Sequence, residues 1–332
     1  MTAPCSASAY TVIGLTLEDY SRCWRDKTTA LGWDCLFMLP PWINLWLKHF
    51  GSGEEPQLYA VRHHDEIIGI APLLIRGREA RLIGSADVCD YLDFVVAPGH
   101  EGPFFAALAG YLKKQGVSLL TAAPLRPDST MLKHLQGMAE RRVCGVVCEK
   151  EDVSYELLLP ASWDAYLKKL DDKQRHEIRR KLRRLQEAGA VTYRTLEDPV
   201  SVMGSFDQFL ALFRSSRQDK EAFMTESMEA FFKSLAGSLA ACGIMKLSFM
   251  DIDNQPAAAV MCFDYHDTMY LYNNGYDRRF RAVNAGLLCK VLNIKDSIAR
   301  GLQKYDFLKG AEQYKHRLGG TKVQLFRCRV ML

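Results

Sequence analysis

Two stretches of the chain, residues 58–122 and 245–308, follow the same order of strands, turns and one helix. In each stretch, apolar and β-branched runs separated by Asp- and Gly-containing turns predict at least three strands, after which a helix ending at a glycine leads into another strand. Three pairs of landmark residues keep a nearly constant spacing of 184 to 188 positions: Asp65 and Asp253, Gly102 and Gly286, Gly116 and Gly301. A repeat of this length predicts a duplicated domain rather than a solenoid.

The predicted elements follow from these patterns. The first copy has strands at 58–62, 67–75, 80–85, 91–96 and 118–122 and a helix at 104–115, and the second has strands at 245–251, 257–265, 268–274 and 304–308 and a helix at 286–299. A long polar helix at 162–188, starting from a Ser162 cap, and two helices at 203–215 and 225–241 are predicted between the copies. A helix at 42–50 is predicted before the first copy.

Composition indicates a folded globular protein. The 332 residues are 48% hydrophobic and 25% charged, and the net charge of +4 is too small to indicate a nucleic-acid-binding protein by itself. The first twenty residues have neither the basic nor the apolar segment of a signal peptide, and no apolar run reaches the length of about 18 residues that spans a bilayer. These features predict a cytoplasmic protein.

The ten cysteines lie mostly in apolar runs. Their spacing is typical of neither a disulfide framework nor paired zinc ligands. Cys144 and Cys148 form the nearest pair, but no second Cys or His pair follows at the spacing that a four-coordinate site needs. We therefore predict no metal site, and buried thiols in a reducing compartment.

The helix predicted at 162–188 is strongly cationic on one face. Its basic residues are Lys168, Lys169, Lys173, Arg175, His176, Arg179, Arg180, Lys181, Arg183 and Arg184, and a stripe of leucines and Ile178 predicts the docked face. Such a field suits an acyl carrier protein, an anionic membrane surface or RNA, and it also suits a simply solvated face. No RNA-binding signature with stacking aromatics accompanies it, which makes tRNA the weaker partner.

The loop before the last predicted helix has the features of a phosphate site. Backbone N–H groups at a helix N-terminus bind anions, and three basic residues stand nearby: Arg278, Arg279 and Arg281. Asn284 could cap the helix that continues through Ala285, and Gly286 would let a ligand approach the backbone. The alternative interpretation is a solvated loop with a turn glycine.

The segment that follows resembles the C-terminal motif of the CelD-like or BioF-like acetyltransferases, a GNAT branch related to the FemAB transferases. That family has a sequence close to Asp-Phe-Leu-Arg-Gly-Asp-Glu-Pro-Tyr-Lys-Tyr-Arg-Trp-Gly, and residues 306–319 read Asp-Phe-Leu-Lys-Gly-Ala-Glu-Gln-Tyr-Lys-His-Arg-Leu-Gly. The resemblance extends over about residues 160–320, including the Arg-rich helix. Asn284-Ala285 stands where the family has Ser-Pro, and Ala311 and Gln313 replace Asp and Pro.

The resemblance implies an α/β fold with a mixed sheet, made of tandem duplicated GNAT-like domains in a FemAB-like architecture. The first domain, residues 1–155, has no counterpart of the 305–319 segment and is expected to be degenerate. Residues 156–332, which include the basic helix, are expected to form the GNAT acyltransferase domain.

The resemblance also implies direct transfer of an acyl group from acyl-CoA or a carrier thioester to an amine, without a covalent enzyme intermediate or a permanently bound cofactor. We expect Asp306 and Glu312 to act as the base or to orient the amine, and Tyr314 to protonate the thiolate. Lys309 and Lys315 are candidates for stabilising negative charge, and the backbone at Tyr272, Asn273 and Asn274 for the oxyanion contact. Packing, turn or surface roles are the alternatives for each residue.

Three functions remain open at this stage. The first is an N-acyltransferase acting on a lipid or a cell-envelope or polysaccharide precursor, either free in the cytoplasm or peripheral at the inner membrane surface. The second is a FemAB-like aminoacyl-tRNA-dependent transferase. The third is a GNAT-shaped binding or scaffold protein, since fold does not fix activity.

Overall fold

The chain divides into two compact units. The structure, a computed structural model, describes residues 9–51, 53, 55–139 and 145–332. Unit 1 comprises the chain up to Asp152 together with Gln324–Leu332, and unit 2 is Val153–Val323.

Unit 1 begins with a strand and two helices and continues as a meander. Its elements are β1 (Tyr10–Leu15), α1 (Leu17–Arg25), a 3-10 turn (Leu36–Met38), α2 (Pro40–Phe50), β2 (Pro56–His63), β3 (Glu66–Arg76), β4 (Glu79–Leu82), β5 (Val95–Val96), α3 (Glu101–Lys114), β6 (Leu119–Leu125), α4 (Thr130–Ala139) and the first part of β7 (Val146–Leu158). The strands follow the order β1-β2-β3-β4-β6, with β5 beside β3, and the C-terminal strand β13 (Thr321–Met331) pairs with β6.

Unit 2 contains the helix-rich part of the chain. After the rest of β7 its elements are α5 (Trp163–Lys169), α6 (Asp172–Glu187), β8 (Val191–Leu196), α7 (Pro199–Ser216), α8 (Gln218–Phe223), α9 (Glu226–Ala241), β9 (Met245–Ile252), β10 (Gln255–Tyr265), β11 (Thr268–Tyr276), a 3-10 turn (Arg278–Phe280), α10 (Ala285–Ala299), β12 (Lys304–Lys309) and α11 (Gln313–Arg317). Its strand order is β7-β12-β11-β10-β9-β8.

The duplicated plan predicted from sequence is confirmed. In unit 1, β2, β3 and β4 form an antiparallel meander and α3 leads to β6, which is parallel to β4. In unit 2, β9, β10 and β11 repeat the meander and α10 leads to β12, which is parallel to β11. Gly116 and Gly301 follow the two helices with φ of 83° and 78°, the left-handed conformation in which glycine ends a helix at little cost.

Helices cover both faces of the unit 2 sheet. On one face, the Cys262 Sγ donates to Asn293 Oδ1 of α10 at 3.4 Å. The next residue, Phe263, points to the other face, where it packs on Tyr272, and Tyr272 stacks on Phe232 of α9 with ring centroids 5.6 Å apart. The meander is therefore a central layer that side chains from both helical layers can reach.

Three sequence-based expectations need correction. The single helix expected at 162–188 is two helices, because Leu170 is extended and the Asp171 side chain caps a new helix by accepting from Gln174 N at 2.7 Å. The strand expected at 91–96 shrinks to Val95–Val96. Cys148 is not a free thiol but forms a disulfide with Cys328 inside unit 1, and Cys144 lies outside the described residues. The Ser162 cap is confirmed, since its Oγ accepts from Ala165 N at 3.2 Å.

A close approach of α7 to β11 gives a test of the unit 2 packing. A Cβ added at Gly275 would lie 2.3 Å from Phe213 N and 2.4 Å from Leu212 C, both backbone atoms that cannot rotate away. We expect Gly275→Ala to destabilise unit 2 by about 1–3 kcal/mol, because overpacking forces the helix off the strand. Gly204→Ala, in an open position of the same helix, should change stability by less than about 1 kcal/mol and in the stabilising direction. Equal urea midpoints for the two variants would contradict this packing.

Candidate active site

The two parallel strands of unit 2 separate soon after they begin to pair. Their register has three residue pairs, Thr268 with Lys304, Met269 with Tyr305, and Tyr270 with Asp306. Strand β11 then continues to Tyr276 beside β10, while β12 is held by β7 up to Lys309. The sheet therefore opens into a gap between the C-terminal halves of β11 and β12, where backbone groups of β11 lack a neighbouring strand.

A β-bulge lies on the β11 side of this gap. Met261 pairs with Asn273 and Cys262 with Leu271, so Tyr272 is an extra residue in β11. A bulge twists the strand and redirects the backbone groups around it. It falls in the Tyr272–Asn274 stretch that the sequence suggested as the oxyanion contact, although the Tyr272 ring itself is committed to packing in the α9 layer.

The terminal motif forms the β12 side of the gap. Asp306 is buried, and its Oδ1 accepts from Leu308 N at 2.8 Å, which supports a left-handed turn with φ of 59° at Leu308. The Lys315 Nζ is also buried and donates to the carbonyls of Leu308, Lys309 and Gly310 at 3.0, 2.6 and 3.2 Å. It lies 2.9 Å from Glu312 Oε2 as well. With its donors committed in this way, Lys315 fits a positioning role better than the expected oxyanion role.

Tyr314 and Lys290 meet beneath the gap. The Lys290 Nζ lies 4.7 Å from the centre of the Tyr314 ring and donates to Asn274 Oδ1 at 3.0 Å and to Gly286 O at 2.9 Å. Burial lowers the pKa of Lys290 to about 8, and the same loss of solvation, helped by the Glu312 charge, raises the pKa of the Tyr314 hydroxyl above its ordinary value. Tyr314 therefore stays protonated at neutral pH, as an acid in the predicted role must.

Lys220 of α8 reaches the same place from the other helical layer. Its Nζ donates to the backbone carbonyl of Asn274 and lies 4.6 Å from the centre of the Phe213 ring. Burial is the main cause that lowers the pKa of Lys220 to about 7, and the charge of Lys290 adds to it. Glu312, which is half exposed, has its pKa held below the usual value by Lys315 despite some burial.

The loop 278–286 keeps only part of its expected form. α10 begins at Ala285, so the amides of its first turn are directed to the loop. Asn284 stands at the N-cap, but its left-handed backbone turns the side chain toward Ala282 O at 3.5 Å, and the predicted side-chain cap is not formed. Arg279 forms a two-pronged ion pair with Asp277 at 2.8 and 2.7 Å, whereas Arg278 and Arg281 are exposed.

A cavity of about 350 Å³ lies beside Tyr314, between α6 and the start of α10. Its walls include Leu287 and Tyr314 and the basic residues Lys173, Lys181 and Arg317. The surrounding helix α6 carries seven Lys and Arg against three acidic residues, some of which pair with them along the helix, as Glu177 does with Arg180 and Lys181.

In the described part of the chain, no cluster of three or more His, Cys, Asp or Glu could hold a metal ion. No described helix is long and apolar enough to cross a membrane.

Sequence reasoning singled out neither Lys220 nor Lys290 as a site residue, although the segment 215–224 was considered as either a wall of an acceptor pocket or a plain inter-helix loop. Lysines in polar or amphipathic helices are usually solvated, and nothing in the local sequence marks Lys290 as buried or Lys220 as partly buried. The only available signal was position, since Lys290 follows Gly286 by one helical turn and Lys220 lies in the ion-rich segment between two helices. Their convergence on Asn274 depends on contacts between distant parts of the chain.

The lowered pKa of Lys220 gives a pH-dependent test. Below about pH 7 the folded state holds a poorly solvated ammonium, and between about pH 7 and 10 the unfolded chain binds more protons than the folded one, so stability rises with pH. We expect Lys220→Met to remove this slope, so that its stability relative to wild type is highest near pH 6.5 and falls toward pH 9.5. For Lys168→Met, at an exposed position, the free energy of unfolding measured in urea should depend on pH as it does in wild type. A difference in unfolding free energy between Lys220→Met and wild type that stays constant across this pH range would contradict a poorly solvated ammonium at Lys220.

Comparison with known proteins agrees with the fold of unit 2. Residues 172–316 match the family model described as an acetyltransferase (GNAT) domain, and no curated protein matches the chain in sequence. The resemblance noted in the sequence is thus confirmed for this part of unit 2.

Solved structures share the fold over most of the chain. The crystal structure of FemX is 12% identical with a TM-score of 0.63 and covers 97% of each chain. The C-terminal domain of a putative lysylphosphatidylglycerol synthetase from Agrobacterium fabrum is 10% identical with a TM-score of 0.54, over 79% of this chain and 80% of that one. L-PGS from Bacillus licheniformis is 9% identical with a TM-score of 0.54, over 86% and 90%. Residues 172–316 thus match the acetyltransferase (GNAT) domain model, and the chain, with its repeated meander, shares the fold of FemX.

Proposed function

We propose that the protein is an N-acyltransferase that moves an acyl group from acyl-CoA or a carrier thioester to an amine by direct attack. The observation that carries this proposal is the gap between β11 and β12, with its bulge at Tyr272. An extended amide-containing donor arm can bind the edge of β11 that β12 leaves, since backbone groups without a neighbouring strand need other partners. In unit 1 the corresponding β4 ends at Leu82, one residue after its last pair with β6, so the expectation of a degenerate first domain keeps its support.

The donor's phosphates are assigned to the loop 278–286. Amides at the first turn of α10 favour an anion, and the exposed guanidinium groups of Arg278 and Arg281 can approach it. Arg279 contributes less, because Asp277 already neutralises it. A donor bound in this way places its thioester beside the Tyr272–Asn274 backbone.

The reaction needs no protein nucleophile. The amine nitrogen attacks the thioester carbonyl, the carbon–nitrogen bond forms, and collapse of the tetrahedral oxyanion breaks the carbon–sulfur bond. Backbone N–H groups near the bulge stabilise the oxyanion, Glu312 orients the amine and accepts its proton, and Tyr314 donates a proton to the leaving thiolate. Asp306 and Lys315 keep the turn after β12 in shape.

The cationic helix α6 is assigned to the partner that delivers a substrate. An acyl carrier protein and an anionic membrane surface both present negative charge, and the second would bring the enzyme to a lipid or envelope precursor as acceptor. The same charge favours the second candidate function, an aminoacyl-tRNA-dependent transferase, in which α6 would bind the tRNA backbone.

Donor binding and thiol release test the first function. Titration with acetyl-CoA and longer acyl-CoAs, followed by thiol detection with a panel of amines, should give binding and amine-dependent release of CoA. The double variant Arg278→Ala/Arg281→Ala should weaken CoA binding by about 30-fold, because two phosphate contacts worth about 1 kcal/mol each are lost. Arg183→Ala, an exposed arginine of α6, should leave CoA affinity unchanged.

Two results would redirect the assignment. Binding of charged tRNA that weakens steeply between about 50 and 200 mM salt, with no affinity for CoA thioesters, would favour the aminoacyl-tRNA function. Neither donor binding nor thiol release, together with full biological function of an Asp306→Asn/Glu312→Gln variant, would make the protein a scaffold.

A further inference from the structure

Two ammonium groups from opposite helical layers converge on Asn274. Lys220 of α8 donates to its backbone carbonyl, and Lys290 of α10 donates to its side-chain Oδ1 at 3.0 Å. Asn274 belongs to the part of β11 that β12 has left, so the carbonyl that accepts from Lys220 faces the gap between the strands rather than a β12 amide. The two lysines thus border the floor of the gap.

Positive charge is in excess at this point. Lys220, Lys290 and Lys315 lie near the Glu312 carboxylate, which already forms its close ion pair with Lys315. The buried Asp306 carboxylate accepts from the backbone N–H of Leu308. Asp219, next to Lys220 in sequence, is turned to Arg217 at the surface, with Oδ2 2.7 Å from a guanidinium nitrogen. Lys290 is only 6% exposed and packs against the Tyr314 ring, so bulk water does little to stabilise its charge.

Burial of unbalanced like charges is costly, and a protein retains such an arrangement where a ligand supplies the missing counter-charge. The lowered pKa values of both lysines agree with this imbalance, because each group holds its proton less firmly than in water. A bound carboxylate or phosphate would restore protonation and convert the cost into charge-assisted hydrogen bonds.

We propose that Lys220 and Lys290 form an anion subsite that binds a carboxylate or phosphate group of the acceptor, so that the amine substrate is an anionic amine. This assignment rests on the proposed acyl transfer in the same gap. The donor's phosphates are provided for separately by the loop 278–286 and the first turn of α10. The subsite lies one helical turn further along α10, beside the strand edge where the amine must approach the thioester.

The lysine subsite can be tested without turnover. Wild-type protein is labelled with limiting acetic anhydride at pH 7.5, and the labelling rate of Lys220 is read by peptide mass spectrometry against the exposed Lys168 as internal reference. Two probe pairs at equal ionic strength separate the anion sources: O-phosphoethanolamine against ethanolamine for phosphate, and β-alanine against β-alaninamide for carboxylate.

At saturation, the member of at least one pair that carries the phosphate or carboxylate should slow Lys220 labelling by about five-fold or more, because the bound anionic group keeps the ammonium protonated. Its partner without that group should have no effect. In Lys290→Met, about ten times more probe should be needed for the same protection of Lys220, which corresponds to a loss of about 1.4 kcal/mol in binding free energy. If that variant does not fold, labelling of the wild-type protein with the two probe pairs still tests the subsite.

Two outcomes overturn the subsite. Equal labelling with the probes that carry a phosphate or carboxylate and with their partners that lack it would show that no acceptor anion binds there, even if thiol release succeeds with other amines. Protection of Lys220 by CoA alone, with none by the small anions, would assign the lysines to the donor. Conversely, protection by anions in a protein that never releases thiol would leave the subsite standing and remove the transfer reaction.

Discussion

The separation of β11 from β12 is the constraint on which the site depends. Hydrogen bonding would favour continued pairing, yet the register stops after Tyr270 and Asp306 because β7 holds β12 and β10 holds β11. The backbone groups left without a strand must find other partners. Lys220 donates to one of them at Asn274, and Lys315 donates to three carbonyls at and just after the end of β12. We propose that the donor binds along the remaining edge of β11.

The charges around the gap follow from the same geometry. An ammonium that satisfies a strand carbonyl in a dry layer loses solvation, which explains why Lys220 and Lys290 hold their protons weakly while the Tyr314 hydroxyl keeps its own. Lys315 differs because it has three carbonyls and the Glu312 carboxylate around it. The site thus separates a lysine that stabilises the turn from two lysines whose charge remains to be balanced.

Much of this fold could be predicted from sequence, because the residues that begin and end its helices and strands act locally. Glycines such as Gly116 and Gly301 end helices through their own backbone preference, and alternating runs mark the meanders. The terminal motif pointed to the segment around Asp306 and Tyr314, but not to what each side chain does. Lys220 and Lys290 could not be identified, since their burial arises from four elements that are distant in sequence. The sequence does contain a signal for the helix break before Asp172, because Asp171 is a good N-cap residue. A single helix was predicted instead, because the pattern of basic residues continues across the break.

The central claim is that an acyl thioester binds in the gap between β11 and β12. Hydrogen–deuterium exchange with and without acetyl-CoA tests it most directly, because it reports protection along the whole backbone. We expect slower exchange in residues 271–276 and in the first turn of α10, with little change in β2 and β3 of unit 1. Protection confined to unit 1 or to α6, or no protection at saturating acetyl-CoA, would contradict the account.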